Sequence, residues 1–290
     1  MSKTIYLFTF GLGLQAGCFT KDTEETDTEN DSSNQSDDSE DSEDSDSEDT
    51  DSGDTDIEDT STPIDTGEED TGEPTPTYDC GDSEVYDPVP IGNWRICRSK
   101  ALELNQPTLA TEALELLTSD LTHIETLLDP EIIADLQTVR IWLEEDIPAF
   151  PGGVYHPSET WLSNNGYPPY WAEGVQLGNA ANYISWVNTQ PAILLHEFSH
   201  AWHHQVLGYD HPEIEAAYDA AVASGIYENV EYANGGTYEA YALTNKQEYF
   251  AELTEAYFWE NDYYPFNQAE LEAFDLQGYQ VIENAWVYPE

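Results

Sequence analysis

Apolar side chains are spread unevenly along the chain, and their spacing predicts where structure forms. From Asp22 to Asp79 the chain is Asp, Ser, Glu and Thr, with Gly and Pro towards the end and almost nothing aromatic before Tyr78. Such a segment buries too little apolar surface to offset its ordering entropy, so residues 18–79 are expected to form a disordered acidic linker. Beyond it the pattern changes. Gly92 to Arg98 alternates as a strand does, and Thr138 to Leu143 reads as a second strand rich in branched and aromatic residues. Between them, Pro107 to Leu128 has helical period and places Leu109, Ala113, Leu116, Leu117, Leu121, Ile124 and Leu128 on one face. Pro151-Gly152-Gly153 turns the chain into a short segment at Val154 to His156, and glycines bound another strand at Val175 to Leu177. Helices are predicted over about Pro191 to Leu207, Pro212 to Ser224 and Asn245 to Trp259, the first with Pro in its opening turn and Gly208 just past its end. Strand, helix, strands and then helices make residues 80–290 an α+β domain with a small mixed sheet, not a doubly wound parallel one.

Charge narrows the choice of partner. The 290 residues include 60 Asp and Glu against 7 Lys and Arg, a formal net charge of -53. The linker has no Lys or Arg from Asp22 onward, and the domain has only Arg95, Arg98, Lys100, Arg140 and Lys246. Nucleic-acid binding, which depends on neutralising phosphates, is excluded on this balance, and an anionic membrane surface would repel the chain. All 8 Trp lie in the domain, enough large apolar side chains for one core.

The N-terminus has the anatomy of an export signal: Lys3, an apolar run from Ile5 to Leu14 too short to span a bilayer, then Ala16-Gly17 before Cys18. Leu14-Gln15-Ala16-Gly17-Cys18 resembles a bacterial lipobox, with Gln15 departing from the usual aliphatic residue. The resemblance implies that residues 1–17 are removed, that Cys18 is lipidated, and that the domain is held at the bacterial cell envelope, outside the cytoplasm, through the lipid alone. A plain signal peptide is the alternative. The linker acts as a spacer; its neutral flexible-chain estimate is about 42 Å end to end, and self-repulsion extends it. Export leaves Cys80 and Cys97 as an even pair in an oxidising compartment, where a disulfide would contribute roughly 3 kcal/mol. Two free thiols are the other reading.

Chemistry concentrates at His196-Glu197-Phe198-Ser199-His200. On a helix, residues four apart stack one turn above another, so both imidazoles face one ion. Zn2+ accepts such nitrogens at about 2.0–2.1 Å, and a zinc-polarised water with Glu197 as general base is the chemistry of peptide-bond hydrolysis. The extended metalloprotease pattern would place Gly at 203 and His at 206, but His203 and Val206 stand there. No His follows His211, so the third ligand is expected to be a carboxylate on a later helix. Glu248 and Glu252, one turn apart, supply two: one to bind metal, the other to accept a ligand histidine's N–H. A tyrosine ahead of Glu248, Tyr241 or Tyr238, is the candidate donor to a developing oxyanion. His203 and His204 are read as packed or solvated, Glu239 and Glu255 as solvated.

Taken with the later run Tyr241-Ala242-Leu243-Thr244-Asn245-Lys246-Gln247-Glu248-Tyr249-Phe250-Ala251-Glu252, the motif resembles the catalytic domain of anthrax lethal factor and its wider zincin family, over roughly residues 190–260. The resemblance implies a zincin-like fold with one zinc on His196, His200 and Glu248. It also implies Glu197 as base, Tyr241 assisting at the scissile carbonyl, Glu252 as a supporting carboxylate, and an edge strand that holds peptide, for which Val175 to Leu177 is the candidate. The substrate is then a peptide or protein, a basic one if the domain's charge selects it. A zinc-stabilised surface module that binds without catalysis is the alternative.

Overall fold

A computed structural model describes residues 78–288. The predicted signal, Cys18 and the acidic linker up to residue 77 lie outside the described residues. In chain order the elements are β1 (Tyr86–Ile91), β2 (Trp94–Ser99), α1 (Lys100–Asn105), α2 (Pro107–Leu127), α3 (Pro130–Leu136), β3 (Arg140–Leu143), β4 (Gly153–Tyr155), α4 (Glu159–Asn164), β5 (Val175–Leu177), α5 (Ala180–Trp186), α6 (Ile193–Trp202), α7 (Pro212–Ser224), β6 (Val230–Glu231), β7 (Thr237–Tyr238), α8 (Lys246–Phe258), α9 (Gln268–Phe274) and α10 (Leu276–Ala285). This is a mixed, helix-rich α+β arrangement. No described helix is long and apolar enough to cross a membrane.

The main sheet runs β1-β2-β3-β5-β4. β1 and β2 form an antiparallel hairpin, β3 and β5 continue in parallel, and β4 returns antiparallel to β5 as the outer strand. Val175 to Leu177, expected at an edge, is therefore interior, and the edge belongs to Gly153–Tyr155. The reason is visible in the side chains: all three β5 residues are buried, and Gln176 is held by Glu144 and His156 from neighbouring segments.

Alternation along the strands divides the core. Ile96, Ile141, Leu143, Val175 and Leu177 face the helices, while Cys97 and Trp142 face a smaller cluster with Tyr86, Leu162 and Trp171. Cys80 and Cys97 are disulfide-bonded within that smaller cluster. On the helical side, Trp94 stacks on Phe198 with ring centroids 5.2 Å apart, which packs β2 against α6. At its far end α6 is fixed by Trp202, whose indole donates to the Ala285 carbonyl at 2.9 Å and stacks on Trp286. The central helix is thus enclosed by β4, β5, α2, α3 and α8.

Candidate metal centre

All ten residues of α6 are buried, so the polar members of its motif have no bulk water to solvate them. His196 and His200 stand one turn apart with ring centroids separated by 4.8 Å. Facing them is α8, whose start is set by local chemistry: the Asn245 side chain accepts from the backbone N–H groups of Gln247 and Glu248, both at 2.9 Å. That cap fixes Glu248 in the first turn. Its Oε2 lies 3.1 Å from His196 Nε2 and 3.2 Å from His200 Nε2. Ligand atoms about 2.0–2.1 Å from a tetrahedral ion stand about 3.3 Å apart, so the three side chains already hold the spacing of a shared cation. The approach to His200 has an ion-pair distance but not hydrogen-bond geometry, and both nitrogens of that ring lack a hydrogen-bond partner.

The surrounding charge is unusual. Glu197, Glu248, Glu252 and Glu255 are each no more than 2% exposed. Burying four carboxylates is costly unless cations or donors compensate them. No side chain donates a hydrogen bond to either oxygen of Glu197. Burial pushes its carboxyl up, against the opposing pull of the two imidazoles; the charge of Glu248 adds to the rise and the backbone N–H of Tyr155 on β4 works slightly against it. Burial acts on Glu248 in the same sense, but His200 and His196 outweigh it and hold that carboxyl well below the usual range. Glu197 also packs against the outer strand: a Cβ at Gly153 would stand 3.0 Å from its Cγ and Oε1. An orphaned carboxylate beside two imidazoles and a third ligand is the donor set a zinc ion suits.

Around the ligands, the structure revises one assignment. His196 Nδ1 pairs with Glu255 Oε1 at 2.5 Å, while the nearest Glu252 oxygen is 4.0 Å away. Glu255, read from the sequence as solvated, is thus the partner that orients the ring, because a further three-residue step along α8 returns to the face of Glu248 and Glu252. Tyr241 lies in a short turn just before α8, its ring 6.4 Å from that of His196. Tyr238 is on β7, half exposed and against Tyr232. His203 is fully buried between Tyr209 and Phe250, and burial lowers its ring to about 3. His204 is half-buried, with Nδ1 2.9 Å from the Tyr155 hydroxyl.

No protein-family model, curated protein or solved structure matches this chain. The functional reading therefore rests on its own residues. Two of those have roles the sequence reading does not give them. Glu255 follows Glu248 and Glu252 at helical spacing, and that spacing is the signal that it shares their face. Gly153, in a Pro-Gly-Gly run, carries no signal of its contact with Glu197.

Proposed function

We propose that the domain is a zinc-dependent endopeptidase of zincin type, displayed at a bacterial cell envelope through lipidated Cys18 and the acidic linker. The observation that carries this reading is the buried Glu197 carboxylate, which no side chain satisfies, beside His196, His200 and Glu248. A structural zinc site has no use for a fourth acid without a partner; a hydrolytic site needs a base there. Zinc on His196, His200 and Glu248 would supply Lewis acidity and bring a water's pKa to about 7.

The protein groups then divide the remaining work. Glu197 accepts the proton of the attacking water and passes it to the leaving amine; the raised affinity that burial gives its carboxyl suits both halves of that transfer. Glu255 holds the His196 tautomer in which Nε2 faces the metal, by accepting from Nδ1. Tyr241 donates to the carbonyl oxygen as negative charge develops on it. β4, outermost in the sheet and packed on α6, is the strand that an extended peptide would join by backbone pairing, which sets the scissile bond beside Glu197.

Metal analysis with peptide-library digestion tests this on the wild-type chain and Glu197→Gln. One zinc per chain in both, with hydrolysis in the wild type alone, is expected. A zinc-loaded wild type that cleaves no peptide would refute the peptidase and leave a binding module.

A further inference from the structure

We propose that Tyr209 brings a second phenol hydroxyl to the reacting centre, beside Tyr241, and donates to the oxygen that becomes negative at the scissile carbonyl. This rests on the peptidase reading above and adds a residue that neither the motif nor the resemblance contains.

The placement begins with the end of α6. Its helix does not stop at Trp202 but widens into a π turn over His203–Leu207, an expansion often found beside functional groups. Gly208 follows at φ 79° and ψ 135°, backbone space open to glycine and closed to residues with a Cβ. The π turn is held from the outer strand. The Tyr155 hydroxyl is shared between His204 Nδ1 and Gln205 Nε2, which donates to it, each at 2.9 Å. Turned back by this route, the Tyr209 ring lies 5.1 Å from His203, edge to face, and 4.9 Å from His204.

The Tyr209 hydroxyl is buried and has no hydrogen-bond partner. Leaving such a group unsatisfied costs about 1–3 kcal/mol, so an acceptor is expected in the working state. The rings it packs against place it: His203 stands three residues beyond His200 on the same continuous helix, and both nitrogens of His203 and of His200 are buried without hydrogen-bond partners. Burial first, then Tyr155 and the charges of Glu248 and Glu197, push the phenol above its ordinary value. Tyr209 therefore remains protonated and is a donor, not an anionic ligand.

Tyr209→Phe keeps the ring and removes only the donor. The full chain is compared with this variant in three measurements: zinc affinity by chelator competition, kcat and KM on one peptide, and calorimetric affinity for a phosphinic peptide that mimics the tetrahedral geometry. Expected are unchanged zinc affinity and KM, with kcat and phosphinic-peptide affinity both reduced about 100-fold. Undiminished phosphinic-peptide binding by Tyr209→Phe would overturn the proposal, as would a loss of zinc affinity large enough to explain the lost rate. A wild-type chain that binds zinc but neither cleaves peptide nor binds the mimic would instead overturn the peptidase reading itself.

Discussion

Substituting Glu255 by Gln removes a charge and keeps the shape, which makes it a sharp probe of how the centre is built. Its Oε1 lies 2.5 Å from His196 Nδ1, well within hydrogen-bond reach, and both groups are buried. On the peptidase reading, the carboxylate fixes the proton on Nδ1, which would leave Nε2 as the ligand atom and raise the ring's basicity. Outer partners of this kind contribute about 10–100-fold to metal affinity, about 1.4–2.7 kcal/mol. The deep burial places Glu255→Gln towards the upper end, since a neutral amide oxygen is a weaker acceptor where water cannot help. Glu252→Gln serves as the comparison: at 4.0 Å its carboxylate is too far to bond the same nitrogen. Zinc dissociation constants from competition with a chromophoric chelator, after circular dichroism shows both variants folded, give the answer. The expected order is wild type tightest, then Glu252→Gln, then Glu255→Gln. Equal affinity of Glu255→Gln and wild type, or a reversed order of the two variants, would refute the argument.

Three further outcomes follow from other parts of the structure. Gly153→Ala places a Cβ 3.0 Å from Glu197 Cγ and 3.2 Å from Ile193 Cγ1, so the base must shift; kcat should fall about 10–100-fold with zinc stoichiometry intact, and an unchanged kcat would show that β4 does not position it. Around the site the basic Lys246 is already engaged by Glu215 at 3.0 Å and Asp210 at 3.5 Å, leaving the acids to set the external field. Lys- and Arg-rich peptides should be cleaved faster than acidic ones, with the gap closing as salt shortens the Debye length from about 30 Å at 0.01 M to about 8 Å at 0.15 M; salt-independent, equal rates would contradict this. On the opposite face of the sheet, burial lowers His156 to about 4. Below the unfolded value of about 6.5 the unfolded chain binds a proton that the folded one refuses, so stability is lost on acidification, about 1.6 kcal/mol between pH 6.5 and 5. His156→Phe, which can keep the stack on Trp171, should flatten that slope in urea unfolding, and parallel slopes would exclude His156 as its source.

How far the fold could be read depended on how local its determinants are. The predicted Pro107–Leu128 and Pro212–Ser224 helices differ from α2 and α7 by at most one residue, because a proline start and a sustained apolar face lie within the segment itself. Asn245, where the sequence predicts a helix to begin, is the cap of α8. Shorter helices such as α5 and α10 were missed, since their apolar residues are decided by what they pack against. Order within the sheet was not readable either. Val175 to Leu177 and Val154 to His156 are both short, and nothing local says which lies outside; it is Gln176, satisfied from both sides by Glu144 and His156, that marks β5 as interior.

The site shows the same division more sharply. Residues whose roles follow from spacing on one element, His196 and His200 on α6, were legible because a helix fixes their relation. Glu248 needed a second element, and what the sequence supplied was the exclusion of other ligands and a resemblance in motif. Glu255 was misread for an energetic reason: a carboxylate is solvated by default, and only the burial of α8 on nearly every side makes that default untenable. Once α8 is buried, each of its acids must face a compensating group. Helical geometry directs Glu248, Glu252 and Glu255 towards the imidazole face of α6, so one packing event brings Glu248 to both imidazoles and sets Glu255 against His196. The hydrophobic residues that enclose α6 and α8 therefore set the electrostatics of the centre as well as its position, because they leave the four glutamates few partners besides one another and the two histidines.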